Sequence, residues 1–460
     1  MHIFSGDRFK DMQRIDLAKI AEKMYKRALS EVAPEVLVKK NVCIRGEKLF
    51  IQGRRFDLSF YEKIFILSIG KAAPSMAKSV VGILGNRVSE GIVLCPPEES
   101  FSIHKNMMCL PAPHPLPDER SVAASKKILA ISEVAEEKDL VLVLISGGGS
   151  AQICFPAQGI SLEEKRFITE QLLKAGASIT ELNIVRKHLS RIKGGRLAEV
   201  CFPATTINLV ISDVIGNDLE NIASGPTYWD SSTYGDAKEI LAKYNLWSQA
   251  PASVKKIIKR GIEGRASETL KKDNRVFKNV SSFIIGDNLV ALQAAKERAQ
   301  SLGFKTFILT SSDHGEAREV AKYYVSFLMS LSHSKKISTN LLCLLAGGEL
   351  TVTVKGKGRG GRNTEFALAA LLEARNLATQ TKDWLIMSLG SDGMDGSTDA
   401  AGAWIGPVTL ERARKLDLNP KNYLENNDSY NFFKSTGGLI VTGRTQTNVM
   451  DLRFFLLKIK

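Results

Sequence analysis

A chain of 460 residues exceeds what one ordinary hydrophobic core organises, so two domains are expected. With 44% hydrophobic and 24% charged residues it has the make-up of a folded globular protein rather than a disordered one, and no apolar run reaches the roughly 18 residues of a membrane helix. The net charge of +14, from 63 basic and 49 acidic residues, suits an anionic ligand or a nucleic acid.

From the N-terminus, MHIFSGDRFKDMQRIDLAKI lacks the apolar core of a signal peptide and carries Asp7, Asp11 and Asp16, which argues against a transit peptide. An intracellular, soluble protein is expected, cytoplasmic, with the mitochondrion left open. Helical spacing covers 15–32. Strand 64–69 (IFILSI) runs into Gly70-Lys71, and a helix over 74–84 follows with Pro74 in its first turn. Helix 121–136 precedes strand 140–145 (LVLVLI), which runs into Ser146-Gly147-Gly148-Gly149-Ser150. After helix 161–177, strand 207–212 (INLVIS) runs into Asp213, then Asn217 and Asp218. Residues 229–281 are polar and basic with short apolar runs, and a domain break is placed there, giving units 1–255 and 256–460. Strand 282–286 leads to Asp287-Asn288 and helix 289–302; strand 305–310 leads to helix 315–331. Strand 341–346 ends on Gly347-Gly348-Glu349; strand 350–354 (LTVTV) precedes helix 364–375; strand 385–389 ends on Gly390-Ser391-Asp392-Gly393. Helix 409–415 and strand 438–442 complete the pattern.

Short apolar strands alternating with helices define an α/β protein with a mainly parallel sheet. Six of these strands end in polar, Gly-rich loops. Ligands of open α/β sheets bind outside the carboxyl ends of strands, so the chain reads as an enzyme.

Several loops carry candidate chemistry. The consecutive glycines of 146–150 let backbone N–H groups converge on an anion; the plain alternative is a tight turn chosen for positive φ. No Lys-Ser/Thr pair follows, which excludes a standard P-loop. Lys71 stands at a strand end and points at whatever binds there. Residues 183–198 hold Arg186, Lys187, His188, Arg191, Lys193 and Arg196. They form either an exposed basic helix or a carboxylate and phosphate binder through Arg forks. Asp213, Asn217 and Asp218 share one loop. Asp392, Asp395 and Asp399 share another, and with Glu349 they fit a magnesium–phosphate site, because magnesium takes few protein oxygens; Asx-turn chemistry is the alternative.

The segment 356–365, GKGRGGRNTE, matches G-x-G-x-x-G through Gly356, Gly358 and Gly361. A dinucleotide fingerprint needs a doubly buried strand before it and an acid at a later strand's end. Strand 350–354 alternates apolar and polar residues, and Asp383 precedes the next strand instead of ending it. The loop therefore reads as a cationic lead into a helix N-terminus, with Gly358, Gly360, Gly361 and Asn363 suited to nucleotide phosphates.

The six cysteines are scattered without a C-x-x-C, so structural zinc and a disulfide framework are not expected. The basic run 255–278 has no interleaved aromatics and reads as a solvated surface.

Together the segments LSIGKAAPSMA, LVLISGGGSA, ELNIVRKHLSRIKGGRLAE, LVISDVIGNDLENIASGPT, IIGDNLVALQAA, AGGELTVTVKGKGRGGRNTEFALA, SLGSDGMDGSTDAAGAW and VTGRTQTNVMDL resemble the class II glycerate kinases, the glycerate 2-kinase family whose C-terminal part is the MOFRL domain. The resemblance runs in order from about residue 15 to 452. It implies two α/β domains, the N-terminal one Rossmann-like and the C-terminal one, MOFRL-like from about 341, with a mixed sheet; the active site lies in the cleft between them. It implies transfer of the γ-phosphoryl of ATP to the 2-hydroxyl of D-glycerate with magnesium. Small-molecule and nucleotide partners are expected, with no nucleic acid or membrane and with self-association left open. Carried over, the family's lysine falls on Lys71, its Gly-rich loop on 146–150, its basic segment on Arg186 and Lys187, and its GGRNTE arginine on Arg362. Its acidic loops fall on Asp213, Asn217 and Asp218 and on Asp392, Asp395 and Asp399. One departure is Thr442–Val449, where the family reads close to TGPTGTNV and this chain reads TGRTQTNV.

On that basis Lys71 and Arg362 are expected to neutralise the transferring phosphoryl group, Arg186 to clamp the glycerate carboxylate, and Asp213 or Asp218 to accept the hydroxyl proton. An NAD(P)H-dependent hydroxypyruvate reductase is the alternative, and the only literal cofactor fingerprint fails in context.

Overall fold

In a computed structural model, the structure describes residues 16–97, 102–332, 340–375 and 383–459. The N-terminal leader and residue 15 of the first expected helix lie outside them. The chain divides into two compact units: one is Pro34–Ile285, and the other joins the residues up to Ala33 with Gly286–Lys460.

The Pro34–Ile285 unit is built on a six-stranded sheet. Its order is Met107–Pro111, Glu90–Cys95, Ile64–Ile69, Leu140–Ile145, Thr205–Ile211 and Val280–Gly286. The registers from Met107–Pro111 through Thr205–Ile211 are all parallel. Ile64–Ile69 and Leu140–Ile145 are buried at every residue, as strands covered on both faces must be. Parallel strands need crossovers; helices Ala73–Leu84 and Glu119–Glu133 supply two, the latter started by an Asp118 capping box. Helices Leu162–Lys174, Ile179–His188, Tyr234–Lys243 and Ala252–Ile262 enclose a separate core around Leu172, Leu182, Tyr234 and Leu241. A three-stranded antiparallel sheet spanning 42–57 stands apart.

The second unit carries a mixed six-stranded sheet, ordered Lys305–Asp313, Leu341–Gly348, Asp451–Lys458, Trp384–Gly390, Gly402–Ile405 and Leu439–Ile440. Only the first pair is parallel. Helices Ala317–Ser332 and Arg362–Glu373 share a core with Leu342, Leu344, Ile386, Phe455 and Leu457. Helix Leu17–Glu31 buries Leu17, Ala21, Met24, Tyr25 and Ala28 and packs on helix Asn288–Ser301. No helix among the described residues is long and apolar enough to cross a membrane.

These units correct the boundary at 255/256, which falls inside helix Ala252–Ile262. The basic segment is anchored by Val254, Ile258, Leu270 and Val276, all buried, so it is no linker. The N-terminal helix belongs with the C-terminal residues because its apolar stripe meets helix Asn288–Ser301, a long-range match that local pattern cannot reveal. Residues 350–354 form no strand; Thr351 makes a single bridge to Glu316. Strand 438–442 contracts to Leu439–Ile440. All six cysteines are free; four are buried, Cys109 is half-buried and Cys43 is exposed.

Phe455 has no solvent exposure and stacks on Tyr324 with ring centroids 4.8 Å apart. Phe455→Ala is expected to lower unfolding stability by about 3–5 kcal/mol, the usual range for deleting a buried aromatic ring, as read from urea denaturation.

Candidate active site

In the Pro34–Ile285 unit, the carboxyl ends of Ile64–Ile69 and Leu140–Ile145 are adjacent, because these strands pair residue for residue. Their loops interlock: the Lys71 N–H donates to Gly147 O (2.8 Å), the Ser146 N–H to Ile69 O (2.9 Å) and the Ala72 N–H to Ser146 Oγ (3.0 Å). The Gly70 N–H donates to Gln152 Oε1 (2.6 Å), which gives that polar residue a structural task. Gly148 adopts φ +84°, and a Cβ there would lie 3.0 Å from the His114 ring and 3.1 Å from Lys71 Cγ. Lys71 and His114 therefore flank the turn. His114, set in a Pro-rich loop, was not singled out from sequence; only its neighbours in space point to it. Among the described residues the N–H groups of Gly147 and Gly148 have no hydrogen-bond partner.

Helix Ile179–His188 and the segment after it supply cations to the same turn. Arg186 Nη2 donates to Ser150 O at 3.2 Å, and burial pulls its guanidinium below the ordinary value. Lys193 also reaches Ser150. Lys187 is different: it is buried in an ion pair with Asp230 at 2.6 Å. A buried ammonium so paired is structural, which corrects its expected place among substrate ligands. His188 Nε2 lies 2.9 Å from Glu268 Oε1, and it too is buried. The segment is thus neither an exposed basic helix nor wholly a site. Asp213 and Asn217 are half-buried beyond strand Thr205–Ile211. Asp218 is exposed; it accepts from the Glu220 N–H (3.0 Å) and from Asn221 Nδ2 (2.6 Å).

The other unit has its own polar centre. Gly348 and Gly390 both pair with Asp451, at the start of the antiparallel strand between them. Asp451 is fully buried. Arg362 grips it with two bonds, Nε to Oδ2 (2.6 Å) and Nη2 to Oδ1 (3.0 Å), and turns Nη1 to Glu349 (2.8 Å). Asn363 Nδ2 and Arg453 Nη2 also reach Asp451. Burial alone would lower Arg362, but Asp451 and then Glu349 hold it above its ordinary value. Tyr25 donates to Gly390 O (3.0 Å); burial and the nearby Asp392 charge push its hydroxyl up.

The glycine-rich loop before Arg362 packs backbone against backbone. A Cβ on Gly356, Gly358 or Gly360 would collide with Asn426, Asp428 or Ser429 respectively. Most of its N–H groups are already used: Lys355 and Gly356 donate to Asn427 Oδ1, Lys357 to Asn426 Oδ1, Arg359 to Asp428 Oδ1, and Gly361 to Thr364 Oγ1, while that of Gly360 has no partner among the described residues. The Gly358 N–H donates to Asn426 O. Asn363 has both side-chain ends bonded, to Asp451 and to Ser388.

A family of unknown function, DUF4147, matches residues 20–259, and the MOFRL family matches 342–451. The chain is 38% identical to glycerate 2-kinase of Pyrococcus horikoshii over 442 residues, covering 96% of this chain and 97% of the relative. It is 37% identical to D-glycerate 2-kinase of Thermotoga maritima over 442 residues, covering 95% and 97%. The crystal structure of glycerate kinase from Thermotoga maritima superposes with a TM-score of 0.82, covering 96% of this chain and 99% of that one. The chain belongs to the MOFRL-containing glycerate kinase family.

In this glycerate kinase fold the expected site residues divide. The 146–150 turn, Lys71 and Arg186 come together. The reading of Gly358, Gly361 and Asn363 as phosphate donors meets groups that are already bonded, whereas the Gly360 N–H has no hydrogen-bond partner among the described residues. The expected metal set does not assemble. Asp395, fully buried, caps helix Arg362–Glu373 by accepting from the Asn363 and Thr364 N–H groups (both 2.8 Å) and from Thr364 Oγ1 (2.7 Å). Burial pushes its carboxyl above the ordinary carboxylate range despite these donors. Asp399 accepts from the Tyr430 hydroxyl at 2.7 Å. Among the described residues no group of three His, Cys, Asp or Glu is placed to hold a metal. Asp451 was not expected, since its partners lie far along the chain.

Asp451→Asn should remove the charge facing buried Arg453 and cost on the order of 3–5 kcal/mol of unfolding free energy, measured by urea denaturation. Glu268 supplies a pH test. Burial opposes its charge, but the His188 bond and two backbone donors win and bring it from 4.5 to about 2. A lowered folded value means stability that is present above pH 4.5 and lost as pH falls toward about 2. Glu268→Gln is expected to flatten that acid limb in denaturation curves measured across the window.

Proposed function

We propose that this chain transfers the γ-phosphoryl of ATP to the 2-hydroxyl of D-glycerate, giving 2-phosphoglycerate. The near-full-length similarity to glycerate 2-kinases supports the reaction. One observation carries the mechanism: the Gly147 and Gly148 N–H groups stand without partners beside Lys71.

Phosphoryl transfer is mainly positioning and charge neutralisation. The 146–150 turn presents N–H donors to phosphate oxygens, and Lys71 adds a positive charge as the γ-phosphorus leaves ADP for the hydroxyl oxygen. Arg186, held near Ser150, pairs with the glycerate carboxylate. The hydroxyl proton passes to a rim carboxylate, Asp213 or Asp218. In the other unit Arg362 has Nε and Nη2 fixed on buried Asp451, and an anion reaches it at Nη1 by displacing the exposed Glu349. Hard carboxylate oxygens suit magnesium, which needs only one or two of them beside phosphate oxygens, so Asp392 fits as its holder without a three-acid cluster. Magnesium, when bound, neutralises phosphate charge.

The test is a coupled assay of ATP with D-glycerate, with the product assigned by phosphorus NMR. Turnover to 2-phosphoglycerate is expected, with no oxidation of NADH by hydroxypyruvate; the opposite pair of results would sink the proposal. Lys71→Ala is expected to lower kcat by roughly 10²–10³-fold, the range for loss of one charge-stabilising donor. Near-full turnover at saturating substrates would remove Lys71 from the mechanism.

A further inference from the structure

Lys193 has no solvent exposure, and its ammonium ends on neutral oxygens alone: Ser150 O (2.8 Å), Ser150 Oγ (3.1 Å) and Ala223 O (3.5 Å). Among the described residues no carboxylate pairs with it, in contrast to Lys187, six residues earlier, which has Asp230. Burying an ammonium without a counter-charge is expensive, and a leucine or methionine would fill the same space. Burial, with Arg186 and Lys165 nearby, pulls Lys193 well below its ordinary value, so what the position calls for is the hydrogen bonds it donates.

Two features show what those bonds do. First, Ala223 and Ser224 adopt φ +51° and +61°, left-handed values that non-glycine residues hold only at a cost of about 1–3 kcal/mol each and only where the surroundings enforce them. Lys193 bonds this turn directly at Ala223 O, and the Gly194 N–H bonds Ser224 O at 3.2 Å. Second, the hydrogen bonds leaving Lys193 run in one direction. Lys193 donates to Ser150 Oγ; Ser224 Oγ donates to Asn183 Oδ1 (3.0 Å), so in the 2.6 Å Ser150–Ser224 contact Ser150 is the donor. Asn183 Nδ2 then donates to Asn221 Oδ1 (3.0 Å), and Asn221 Nδ2 to Asp218 Oδ2 (2.6 Å). A chain that begins at the Lys193 amine and ends at a carboxylate has every donor facing the same way, so each bond strengthens the next.

We infer that Lys193 is a positioning residue which, through Ser150, Ser224, Asn183 and Asn221, locks the Gly-rich turn, the strained 222–225 turn and the Asp218 carboxylate into one arrangement. The inference rests on the proposed kinase reading for its catalytic meaning: the anion-binding turn and the rim acid are set relative to each other by a buried lysine that touches neither substrate. It also distinguishes Asp218 from Asp213 as the acid tied to the phosphate turn. Arg186 shares the Ser150 carbonyl with Lys193, so one peptide group collects the pull of both cations.

The experiment compares wild type, Lys193→Met and Ser224→Ala. Ser224→Ala cuts the chain beyond Ser150 and leaves Lys193 on the turn, so kcat with D-glycerate should fall roughly 10-fold while KM for ATP holds. Lys193→Met releases both turns, so kcat should fall on the order of 100-fold and KM for ATP should rise, as small misplacements at reacting groups commonly cause. Amide hydrogen exchange at 147–151 and 217–225 should quicken in both variants. A merely space-filling lysine predicts unchanged kcat, KM and exchange in a folded Lys193→Met protein, and that result overturns the inference. If Lys193→Met does not fold, Ser224→Ala decides, with wild-type values overturning it. Wild type that fails to phosphorylate D-glycerate refutes the proposed function instead, and the exchange rates then judge the positioning role alone.

Discussion

Asp451 is a carboxylate with no access to water, and the architecture of its unit follows from satisfying it. An isolated charge at that depth would be prohibitive, so its oxygens must be met by fixed donors. Arg362 and Asn363 meet it from the first turn of one helix, and Arg453 meets it from the same strand. Asn288, at the start of another helix, donates to its backbone carbonyl. Arg453 is in turn tied to Asp313, and Asp313 to the Tyr324 hydroxyl. One buried charge thereby registers two strands and three helices at the sheet end where Glu349 and Asp392 emerge. Arg362 owes its orientation to this network, with a single edge left toward the surface.

The two glycine-rich loops make opposite use of the same composition. At 356–361 glycine is required because the chain runs against residues 426–429 with no room for a Cβ, and Asn426, Asn427, Asp428 and Thr364 take up the N–H groups except that of Gly360. At 146–150 the glycines turn the chain between two parallel strand ends, and the donors at Gly147 and Gly148 remain available. Motif matching weights both alike. What separates them is whether a neighbouring segment already supplies acceptors, which is a property of the fold rather than of the loop.

That distinction explains what could be read from sequence. Ile64–Ile69 and Leu140–Ile145 are unbroken apolar runs, and the loops after them combine glycine with Lys71 and Ser146, so both the strands and this half of the candidate site were legible. Asp451–Lys458, the most central strand of its sheet, was not, because Asp451 and Arg453 interrupt its apolar pattern. Those charges are tolerated only through partners elsewhere in the chain. Helix Leu17–Glu31 was legible as a helix, but its membership in the far unit was not. Asp395 looked like a ligand because a loop carboxylate can cap or coordinate; only the placement of the Asn363 and Thr364 amides decides between them.

The basic segment 183–198 shows the same logic applied to cations. Lys187, Lys193 and Arg186 follow one another within a few residues, yet each charge is answered differently. Lys187 has a carboxylate at contact distance and so contributes structure. Arg186 is half-buried and sits over the Ser150 carbonyl. Lys193 has neither counter-ion nor exposure, and its donors begin a run of oriented hydroxyl and amide hydrogen bonds that ends at Asp218. The high net charge of the chain therefore says little about nucleic acid. In this segment its cations are drawn inward, and the turn they surround is the one whose backbone donors are still open.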